Sequence, residues 1–489
     1  MKKPGKKNRR NILAISFLTT SLFFFLFRLD FFTHIENVTY DWRMKIFYNK
    51  ETTGDVVLVF IGDDTLQQIG EWPISRAWYA GLTEILSSMG ARAIVFDILF
   101  IDRSGEGDRE FVSSIKNAGN VVLPFYFNRP EKKGSIIYSD MMVEPLEEFK
   151  KNALSTGFIN ILPDHDGVIR KYPLFIEYQG KSYNSLCVSV IKDALGGRLI
   201  NMRKDYAEFE VSGKKQRIPF SGEPSTYLNI YSDLKKFPNY SFVQVFQAYP
   251  KLMRGERSII PEDAFRDKIV IVGLTATGVS DKATVPGMPN YPLMGIHASF
   301  LENFFKGEFI KRADSTENFL IPLVFSFTSG LVAITFSPLT GIILIILLVA
   351  ILISLAFSLF TFSLFWIDIL PAVLSIIFVY GIVIMRQFVL ERQEKDRVKN
   401  LFGKYISPVV MEKLLSSRES VLLEGEKKTL TILFADIRGF TSFAEKRSPE
   451  ETFASLNRAL NIMADAVFKF NGTLDKFIGD EVMAIYGAP

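Results

Sequence analysis

The sequence is constrained most strongly by a stretch of 67 residues, Phe319–Met385, in which Asp368 is the one charged side chain. A membrane-crossing helix needs about 20 mainly apolar residues, so this stretch has room for three of them. Turn-forming residues divide it at Ser337–Gly341 and again at Ser363–Asp368, where Trp366 is expected to mark the membrane interface. We therefore predict membrane helices near residues 319–336, 341–362 and 367–385.

A fourth membrane helix is predicted near the N-terminus. Residues 2–10 carry six lysine or arginine side chains and no acid, and the following run Ile12–Phe27 has no charge. Because no Ala-x-Ala-like cleavage site follows, we interpret residues 11–28 as an uncleaved anchor after a basic cytoplasmic segment, residues 1–10; a cleaved signal peptide is the alternative. The positive-inside rule places the basic end in the cytoplasm, and four crossings return the chain to that side.

The overall composition agrees with a membrane protein and excludes several other classes. Hydrophobic residues make up 48% of the chain and charged residues 22%, and the net charge of +4 gives no footprint of nucleic-acid binding. Cys187 is the one cysteine and only three histidines occur, which excludes an intrachain disulfide and a His/Cys zinc site. Any metal site must therefore use oxygen ligands. Asp368 lies at the end of a predicted span, so we expect an interfacial acid rather than a functional acid inside the membrane.

Between residues 31 and 317 the composition becomes that of a globular domain, with strand and helix signals in alternation. The predicted strands are Asp55–Ile61, Ala93–Phe96, Val121–Phe127 and Lys268–Gly273, and the predicted helices are Ser75–Met89 and Asp108–Ala118. This alternation implies an α/β domain that has a largely parallel sheet with helices on its faces.

In such a sheet, ligands bind outside the carboxyl ends of the strands. The residues predicted at that edge are mostly polar: Asp63, Asp64, Asp102, Gly273 and Thr275. They would suit a polar ligand or a cation, but the same residue types also cap helices and close turns. The sequence leaves both interpretations open.

Four motifs in this region resemble those of the CHASE2 family. They are Tyr40-Asp41-Trp42-Arg43, Trp72-Pro73 followed by Arg76, Asp164-His165-Asp166-Gly167 ahead of Arg170, and the stretch Gly273–Ala298, which ends in Met294-Gly295-Ile296-His297-Ala298. CHASE2 domains are extracytoplasmic sensors of bacterial receptors, commonly followed by three membrane spans and a cytoplasmic output domain. The resemblance implies that residues 31–317 form an extracytoplasmic sensor in a bacterial inner membrane, for a ligand that the family does not specify.

After Met385 the chain becomes strongly charged, and residues 386–421 are predicted to form a cytoplasmic linker. Glu391–Lys404 has the mixed charge of a solvated helix, and Phe402–Pro408 is predicted to end it before another helix at Val409–Leu415. The apolar positions do not sustain three heptads, which argues against a long coiled coil but leaves room for a short two-helix seam between protomers.

The last region of the chain contains two segments with the residue types of a metal and phosphate site. The run Thr429–Ala435 is predicted to be a buried strand, and Asp436 follows it directly, where a carboxylate can hold a hard cation. A helix is predicted next, and its free N-terminal amides near Gly439, Phe440 and Thr441 suit phosphate oxygens. Metal and phosphate are therefore expected to meet at one point.

The second segment, Gly472–Tyr486, is predicted to be a hairpin with Gly479 and Asp480 at its turn. If the hairpin pairs beside the first strand, Asp480 faces Asp436 and the two carboxylates can share two divalent ions. Lys476 lies on the same hairpin and could reach a bound nucleotide. A strand-end aspartate or a Gly-Asp turn is a weak signal alone, because most are caps or turns, but together they are strong.

Together the two segments closely resemble the class III adenylate/guanylate cyclase domain, in Phe434–Thr441 and, about forty residues later, in Asp475–Glu481. The resemblance implies roles for four residues: metal ligation by Asp436, Asp480 and the Ile437 carbonyl, and purine selection by Lys476. Lysine is the adenylate-cyclase choice at that position. The implied reaction is conversion of ATP to 3',5'-cyclic AMP and pyrophosphate under two Mg²⁺ or Mn²⁺ ions, in a homodimer with the active site at its interface.

The resemblance covers the amino half of the family's domain, residues 422–489, as a partial ferredoxin-like α+β unit. The family's second half supplies another purine-selecting residue and the asparagine and arginine that stabilise the transition state, and these do not follow within the sequence. A half-domain of this size rarely stabilises itself without a partner. We therefore expect the sequence to be a fragment of a longer protein, with a cyclase-like binding remnant as the alternative.

The whole sequence thus predicts a multidomain membrane protein that acts as a receptor adenylate cyclase. A ligand outside would change the relative placement of two protomers and so how well their cyclase halves meet. The alternative from another class is a non-catalytic receptor whose cyclase-like tail binds nucleotide or a partner cyclase. A transporter is disfavoured, because one acid among four spans gives no substrate path.

Overall fold

The computed structural model describes residues 6–27, 29–47, 51–70, 72–105, 107–133, 136–231, 233–402 and 427–487. The chain divides into two compact units, residues 1–380 and 381–489. The turn predicted at Phe402–Pro408 and the helix predicted at Val409–Leu415 lie almost entirely outside the described residues.

Within the described residues, four helices have the length and apolar composition needed to cross a membrane. They are Lys6–Leu26, Glu317–Thr335, Pro338–Ser363 and Leu370–Phe402, and they fall at the anchor and the three spans predicted from the sequence. Ser337 caps the second of the three later helices by accepting a hydrogen bond from the amide of Thr340, and Pro338 occupies its first turn. The last helix continues without a break through the predicted start of the linker at residue 386, because no glycine or proline interrupts residues 382–402.

The N-terminal helix packs closely against the helix Glu317–Thr335. A Cβ atom added to Gly330 would overlap the Cγ2 atom of Ile12, so the small residue permits the close approach of the two backbones. The hydroxyl oxygens of Thr20 and Ser326 lie 3.2 Å apart across the same interface. In an apolar surrounding, such small residues and interhelical hydrogen bonds are the main source of specific helix packing.

A largely parallel sheet forms the centre of the first unit, as the alternation of strand and helix signals predicted. Its strands lie in the order Asn239–Ser241, Val56–Ile61, Ile269–Leu274, Ala93–Asp97 and Val121–Phe127, all parallel. The edge strand Val121–Phe127 also pairs in parallel with Ser155–Phe158 and antiparallel with Met142–Val143. The predicted strand at residues 268–273 is therefore central in the sheet.

Both faces of this sheet are buried. Val57, Val59 and Ile61 pack into one hydrophobic core, whereas Val56 and Leu58 pack into another, which is the period of two expected for a strand covered on both sides. The helices Arg76–Ser88, Asp108–Ala118 and Phe242–Met253 contribute to the first core, and Met294–Lys306 contributes to the second. Gly119 ends the second of these helices in a left-handed conformation, as its sequence predicted.

Further elements complete the first unit, and all of them except the helix Asp30–Phe47 have only two to seven residues, too few for a clear periodic pattern. The strands are Glu131–Lys133, Ile136–Tyr138, Lys171–Pro173, Phe175–Tyr178, Lys181–Asn184, Arg198–Met202, Tyr206–Val211, Lys214–Pro219, Ser225–Tyr227, Lys282–Val285, Met288–Pro292, Lys311–Arg312 and Phe365–Trp366. The helices are Asp30–Phe47, Asp63–Ile69, Glu147–Asn152, Leu186–Ser189, a π-helical turn at Val190–Ala194 and a 3₁₀ turn at Leu234–Lys236. Asp30–Phe47 is the longest of them and follows the N-terminal membrane helix closely.

The segment between the last two membrane helices is packed into the first unit. The placement of Trp366 at the membrane interface stays a prediction, and the structure adds that its side chain is fully buried within the protein. The ring of Trp366 lies 4.6 Å from that of Tyr40, and the guanidinium of Arg312 lies 4.5 Å above it. Arg312 also donates hydrogen bonds of 2.9–3.1 Å to the carboxylate of Asp368, so the single charge of the apolar stretch is held in an ion pair.

The described part of the second unit beyond the linker is an antiparallel sheet with a helix on one face. The strand Glu481–Tyr486 lies between Thr431–Ala435 and Thr473–Ile478. The helix Pro449–Lys469 packs Leu460, Ala464 and Val467 against Leu474, Val482 and Ala484 of this sheet, and a single turn of helix, Phe440–Ala444, precedes it. This arrangement is α+β, as expected of a partial ferredoxin-like unit.

We predict that Gly330→Val loosens the packing of the N-terminal membrane helix. The added side chain would overlap Ile12, and overpacking of this kind typically costs about 1–3 kcal/mol. The measurement is the thermal unfolding of the purified full chain in detergent micelles. Gly381→Val is the matched control, because a Cβ at Gly381 meets no described atom within 4 Å. Equal losses of stability in the two variants would contradict this account of the interface.

Candidate functional site

Asp436 stands directly after the strand Thr431–Ala435, as the sequence predicted. The prediction that this strand is buried is wrong, because four of its five side chains are exposed. The antiparallel register pairs Ala435 with Val482, near the start of the neighbouring strand. Continued by two residues, this register places Asp436 opposite Glu481 and Ile437 opposite Asp480. The sheet therefore brings the two predicted metal-binding segments to the same end.

Asp480 lies in a two-residue turn that joins the strands Thr473–Ile478 and Glu481–Tyr486. Ile478 pairs with Glu481, so Gly479 and Asp480 are the two central residues of the turn. Gly479 has a φ of +66°, a conformation that the first central position of a type II′ hairpin requires and that glycine adopts without strain. The Gly-Asp pair therefore fixes the carboxylate at the tip of the hairpin.

The backbone after Asp436 turns tightly before the short helix Phe440–Ala444. Gly439 precedes that helix with a φ of +76°, and the amide of Phe440 donates a hydrogen bond of 3.2 Å to the carbonyl of Ile437. The turn thus already uses one of the three amides predicted for phosphate, at Gly439, Phe440 and Thr441. It also uses one lone pair of the Ile437 carbonyl and leaves the second for another donor or a cation.

Lys476 lies next to an irregularity in the hairpin. The pairing register shifts between Leu474 and Lys476, so Asp475 is the extra residue of a β-bulge, a feature that re-aims neighbouring side chains. The ammonium of Lys476 lies 3.4 Å from the carboxylate of Asp475, and the lysine side chain is 59% exposed. An exposed ion pair of this kind contributes only about 0–1 kcal/mol, so the lysine can leave it for another acceptor.

The donors at this end of the sheet fit a hard divalent cation. They are the carboxylates of Asp436 and Asp480 and the carbonyl oxygen of Ile437, and oxygen donors are those that Mg²⁺ prefers. Across the part of the chain that the structure describes, no group of three or more His, Cys, Asp or Glu side chains could hold a metal by itself. A cation bound here would therefore take further ligands from water or from ligand phosphates, which is usual for Mg²⁺.

In the first unit, two of the CHASE2-like motifs meet at Arg170. Its guanidinium, which is almost fully buried, donates two hydrogen bonds of 2.8 Å to Asp41 and others of 2.7–3.0 Å to Asp164 and Asp166. Burial alone would lower the pKa of Arg170, but the hydrogen bonds to Asp41 and Asp166 outweigh that effect and raise it. The motif around Asp41 is thereby joined to the loop Asp164–Gly167.

The motif around Trp72 has a packing role. Arg76, the first residue of the helix Arg76–Ser88, lies with its guanidinium 4.5 Å above the ring of Phe100. Its Nε atom is 3.7 Å from the carboxylate of Asp108, at the start of the neighbouring helix. These contacts hold the starts of the two helices together.

The carboxyl edge of the central sheet favours the second of the two interpretations drawn from the sequence. The carboxylate of Asp63 accepts hydrogen bonds from the amide and hydroxyl of Thr277, and Asp64 accepts one from the hydroxyl of Ser241. A Cβ added to Gly273 would lie 2.9 Å from atoms of the adjacent helix, so the edge is filled there. These residues close turns and permit packing.

A buried polar cluster at the same edge was not predicted. Nδ1 of His297 lies 2.9 Å from the hydroxyl of Tyr172, and Nε2 lies 3.6 Å from the carboxylate of Asp97. Burial lowers the pKa of His297 to about 3, while burial and the charge of Asp281 raise the pKa of Asp97 to about 7. The sequence singled out His297, but Asp97 lies 200 residues away and only the fold joins them.

Two family models match the chain. The CHASE2 domain model matches residues 18–352, and the adenylate and guanylate cyclase catalytic domain model matches residues 423–489. Among curated proteins, the uncharacterized proteins Rv1318c and Rv1320c of Mycobacterium tuberculosis are each 34% identical to this chain over 97 residues, which is 20% of this chain and 18% and 17% of theirs. Mb1353c of Mycobacterium bovis is 33% identical over the same length and 18% of its chain. The chain thus spans less than a fifth of these relatives, whose names state no activity.

The described residues thus combine an α/β unit, four helices that have the length and composition to cross a membrane, and a unit that carries the cyclase motifs. The chain belongs to the CHASE2 family, since that model matches more than half of its residues, and it also contains a class III adenylate/guanylate cyclase catalytic domain. The chain thus pairs a domain of a sensor family with a domain of a nucleotide-cyclase family. Cyclase domains of this class generally use divalent metals and a nucleotide substrate, and typically dimerise.

We predict opposite pH effects for variants of the buried pair. Unfolded Asp97 ionises near pH 3.8 and folded Asp97 near pH 7, so its contribution to stability is lost as the pH rises between these values. Asp97→Asn should therefore gain stability relative to the wild type from about pH 4 to about pH 7, by up to roughly 1.4 kcal/mol per pH unit. Unfolded His297 takes up its proton near pH 6.5, so His297→Gln should gain relative stability as the pH falls below that value.

The measurement is thermal unfolding of the full chain in detergent over this pH range. Profiles parallel to that of the wild type in both variants would show that the pair does not titrate as described.

Proposed function

We propose that the protein is a membrane-bound receptor adenylate cyclase, which converts ATP to 3',5'-cyclic AMP and pyrophosphate. The observation that carries this proposal is the register of the second unit's sheet, which brings Asp436 and Asp480 to one end. Neither carboxylate has a basic partner among the described ion pairs, so both are suited to hold cations. The proposal extends the family assignment to a particular reaction and substrate.

In the proposed site, Asp436, Asp480 and the carbonyl of Ile437 hold the metal ions. When bound, two Mg²⁺ or Mn²⁺ ions would activate the ribose 3'-hydroxyl and stabilise charge on the leaving phosphate oxygens. The amides of Gly439 and Thr441 are placed to orient the triphosphate, since the amide of Phe440 already donates to Ile437. The residues of this chain thus bind and align the reactants rather than form a bond with them.

Lys476 supports ATP as the substrate. Lysine carries only hydrogen-bond donors, and adenine presents its ring N1 as an acceptor where guanine presents an N–H donor. To reach the base, Lys476 must exchange its ion pair with Asp475 for the purine, which the weakness of an exposed pair permits. The bulge at Asp475 sets the direction in which the lysine projects.

The proposal also includes the surroundings of the enzyme. The sensor would lie outside and the cyclase in the cytoplasm of a bacterial inner membrane, which the basic residues 2–10 and the positive-inside rule support. Two protomers would form the active site at their interface. The exposed side chains of Ile432 and Phe434 lie two residues apart on one strand, so they share the face of the sheet opposite the helix and are suited to be covered in such a dimer.

We predict that Asp436→Ala and Asp480→Ala each abolish cyclic AMP formation and weaken Mn²⁺-dependent binding of ATP. The reason is that each variant removes one of the two carboxylates from the proposed site. Membranes from cells that produce the chain with a complete cyclase domain are assayed for cyclic AMP, and binding of a fluorescent ATP analogue is measured on the purified protein. The matched control is Asp465→Ala, an exposed aspartate on the helix Pro449–Lys469.

Metal-dependent binding that both site variants retain would exclude the proposed ligands. Binding lost in the variants, with no cyclic AMP from the wild type, would instead favour the non-catalytic receptor.

A further inference from the structure

The helix Asp30–Phe47 contacts two parts of the first unit that are far apart in sequence. Glu36, Tyr40 and Arg43 recur at spacings of four and three residues, so they share one face of the helix, and all three are buried. Asp41 points in a different direction and pairs with Arg170. The helix thus has one face toward the membrane helices and another toward the sensor domain.

Glu36 holds the start of the last membrane helix. One oxygen of its carboxylate accepts hydrogen bonds of 3.1 Å from the amides of Ile369 and Leu370, and Leu370 is the first residue of the helix Leu370–Phe402. These are amides that a helix leaves without partners at its N-terminus. A carboxylate from another helix therefore caps this helix, where it also opposes the positive end of the helix dipole.

Arg43 binds the same segment as a hydrogen-bond donor, whereas Glu36 binds it as an acceptor. Its Nη1 atom donates to the carbonyl of Ile367 at 3.1 Å, and its Nη2 atom donates to Glu36 at 3.0 Å. Glu36 also accepts from the hydroxyl of Thr39 and from the indole of Trp366. The carboxylate of Glu36 and the guanidinium of Arg43 thus both hydrogen-bond to residues 366–370. We call this arrangement the Glu36–Arg43 clamp.

The clamp has little freedom to rearrange. Glu36 and Arg43 are both almost fully buried, and a buried charge that loses its partner is strongly destabilising. The ring of Tyr40 fills the space between them and the sensor, because it packs on Trp366 and its hydroxyl donates to the carbonyl of Leu228. A displacement of the helix Asp30–Phe47 must therefore move residues 366–370 with it.

The other contact of the helix fixes it to the sensor domain. Arg170 donates from Nε and Nη2 to the two carboxylate oxygens of Asp41, each at 2.8 Å, and this paired geometry sets the orientation of both groups. Arg170 also binds Asp164 and Asp166 of one loop. A shift of that loop is transmitted through Arg170 to the helix.

We propose that the helix Asp30–Phe47 couples the sensor domain to the last membrane helix, with Asp41 as its contact to the sensor and Glu36 and Arg43 as positioning residues. This inference rests on the proposed function, because it states how the sensor would regulate the cyclase. The coupled element, Leu370–Phe402, runs from the clamp into the second unit. The proposal gives a physical role to the motif Tyr40-Asp41-Trp42-Arg43.

Hydrogen exchange of the purified full chain in lipid nanodiscs tests the proposal without requiring cyclase turnover. Asp41→Asn weakens the sensor contact but leaves Arg170 its two other carboxylates, and Asp41 makes no described hydrogen bond to residues 366–370. We expect amides of the peptide covering residues 366–372 to exchange roughly five- to tenfold faster, the size of effect typical of a lost helix cap. Amides of the central strand Val56–Ile61 should keep their protection.

Asp164→Asn is the matched control, since it removes a carboxylate from the same arginine without touching the helix Asp30–Phe47. Exchange at residues 366–372 that rises in Asp41→Asn but not in Asp164→Asn supports the coupling. Equal effects of the two variants, or no effect of either, would overturn it. Should Asp41→Asn fail to fold, Asp41→Glu keeps the charge, displaces the carboxylate by one methylene and allows the same comparison.

A second variant tests the clamp itself. Glu36→Gln keeps the shape of the side chain and removes its charge, so the amides of Ile369 and Leu370 should exchange faster in it. Unchanged protection there would remove the clamp from the account. Because every readout is an exchange rate, a protein that makes no cyclic AMP would refute the proposed function and leave this test intact.

Discussion

The structure of the first unit depends on the buried contact between Glu36, Arg43 and the start of the last membrane helix. Two charges have left water there, and removing one partner of such a pair typically costs about 3–5 kcal/mol. The surrounding groups follow from this need: backbone amides and a carbonyl satisfy the charges, and Trp366 and Tyr40 exclude water around them. An apolar membrane helix thereby begins at a fixed point of a polar domain.

The two units solve different physical problems. In the sensor, both faces of the parallel sheet are covered and its carboxyl edge is filled by turns. Arg170 binds three carboxylates there, so ion pairs connect separate segments of the domain. In the catalytic unit, a helix covers one face of the sheet and the other remains exposed, with Asp436 and Asp480 at its end. The first arrangement suits transmission of a movement, and the second suits completion by a substrate and a partner.

The sequence predicted those parts of the fold that local pattern determines. The strand Val121–Phe127 and the helix Asp108–Ala118 have the predicted bounds, because apolar runs and a terminal glycine define them locally. The burial of Trp366 could not be predicted from local pattern, because its contacts with Tyr40 and Arg312 come from distant segments. The clamp and the pair of Asp97 and His297 were not predicted for the same reason. At the candidate site, the motifs predicted Asp436 at the end of a strand and Asp480 in a hairpin turn, where the structure has them. The hydrogen bond from the Phe440 amide to Ile437 could not be predicted, because it depends on the exact path of the turn.

We propose that the sensor and the cyclase lie on opposite sides of one membrane, with Leu370–Phe402 as the last crossing helix. Single-cysteine labelling with a membrane-impermeant maleimide tests it directly, because the native Cys187 is buried. Lys181→Cys lies on an exposed strand of the sensor and Gln393→Cys on the exposed end of the helix. The account predicts that position 181 is labelled in spheroplasts and position 393 only after the membrane is opened. Labelling of both positions from outside, or of neither, would contradict it.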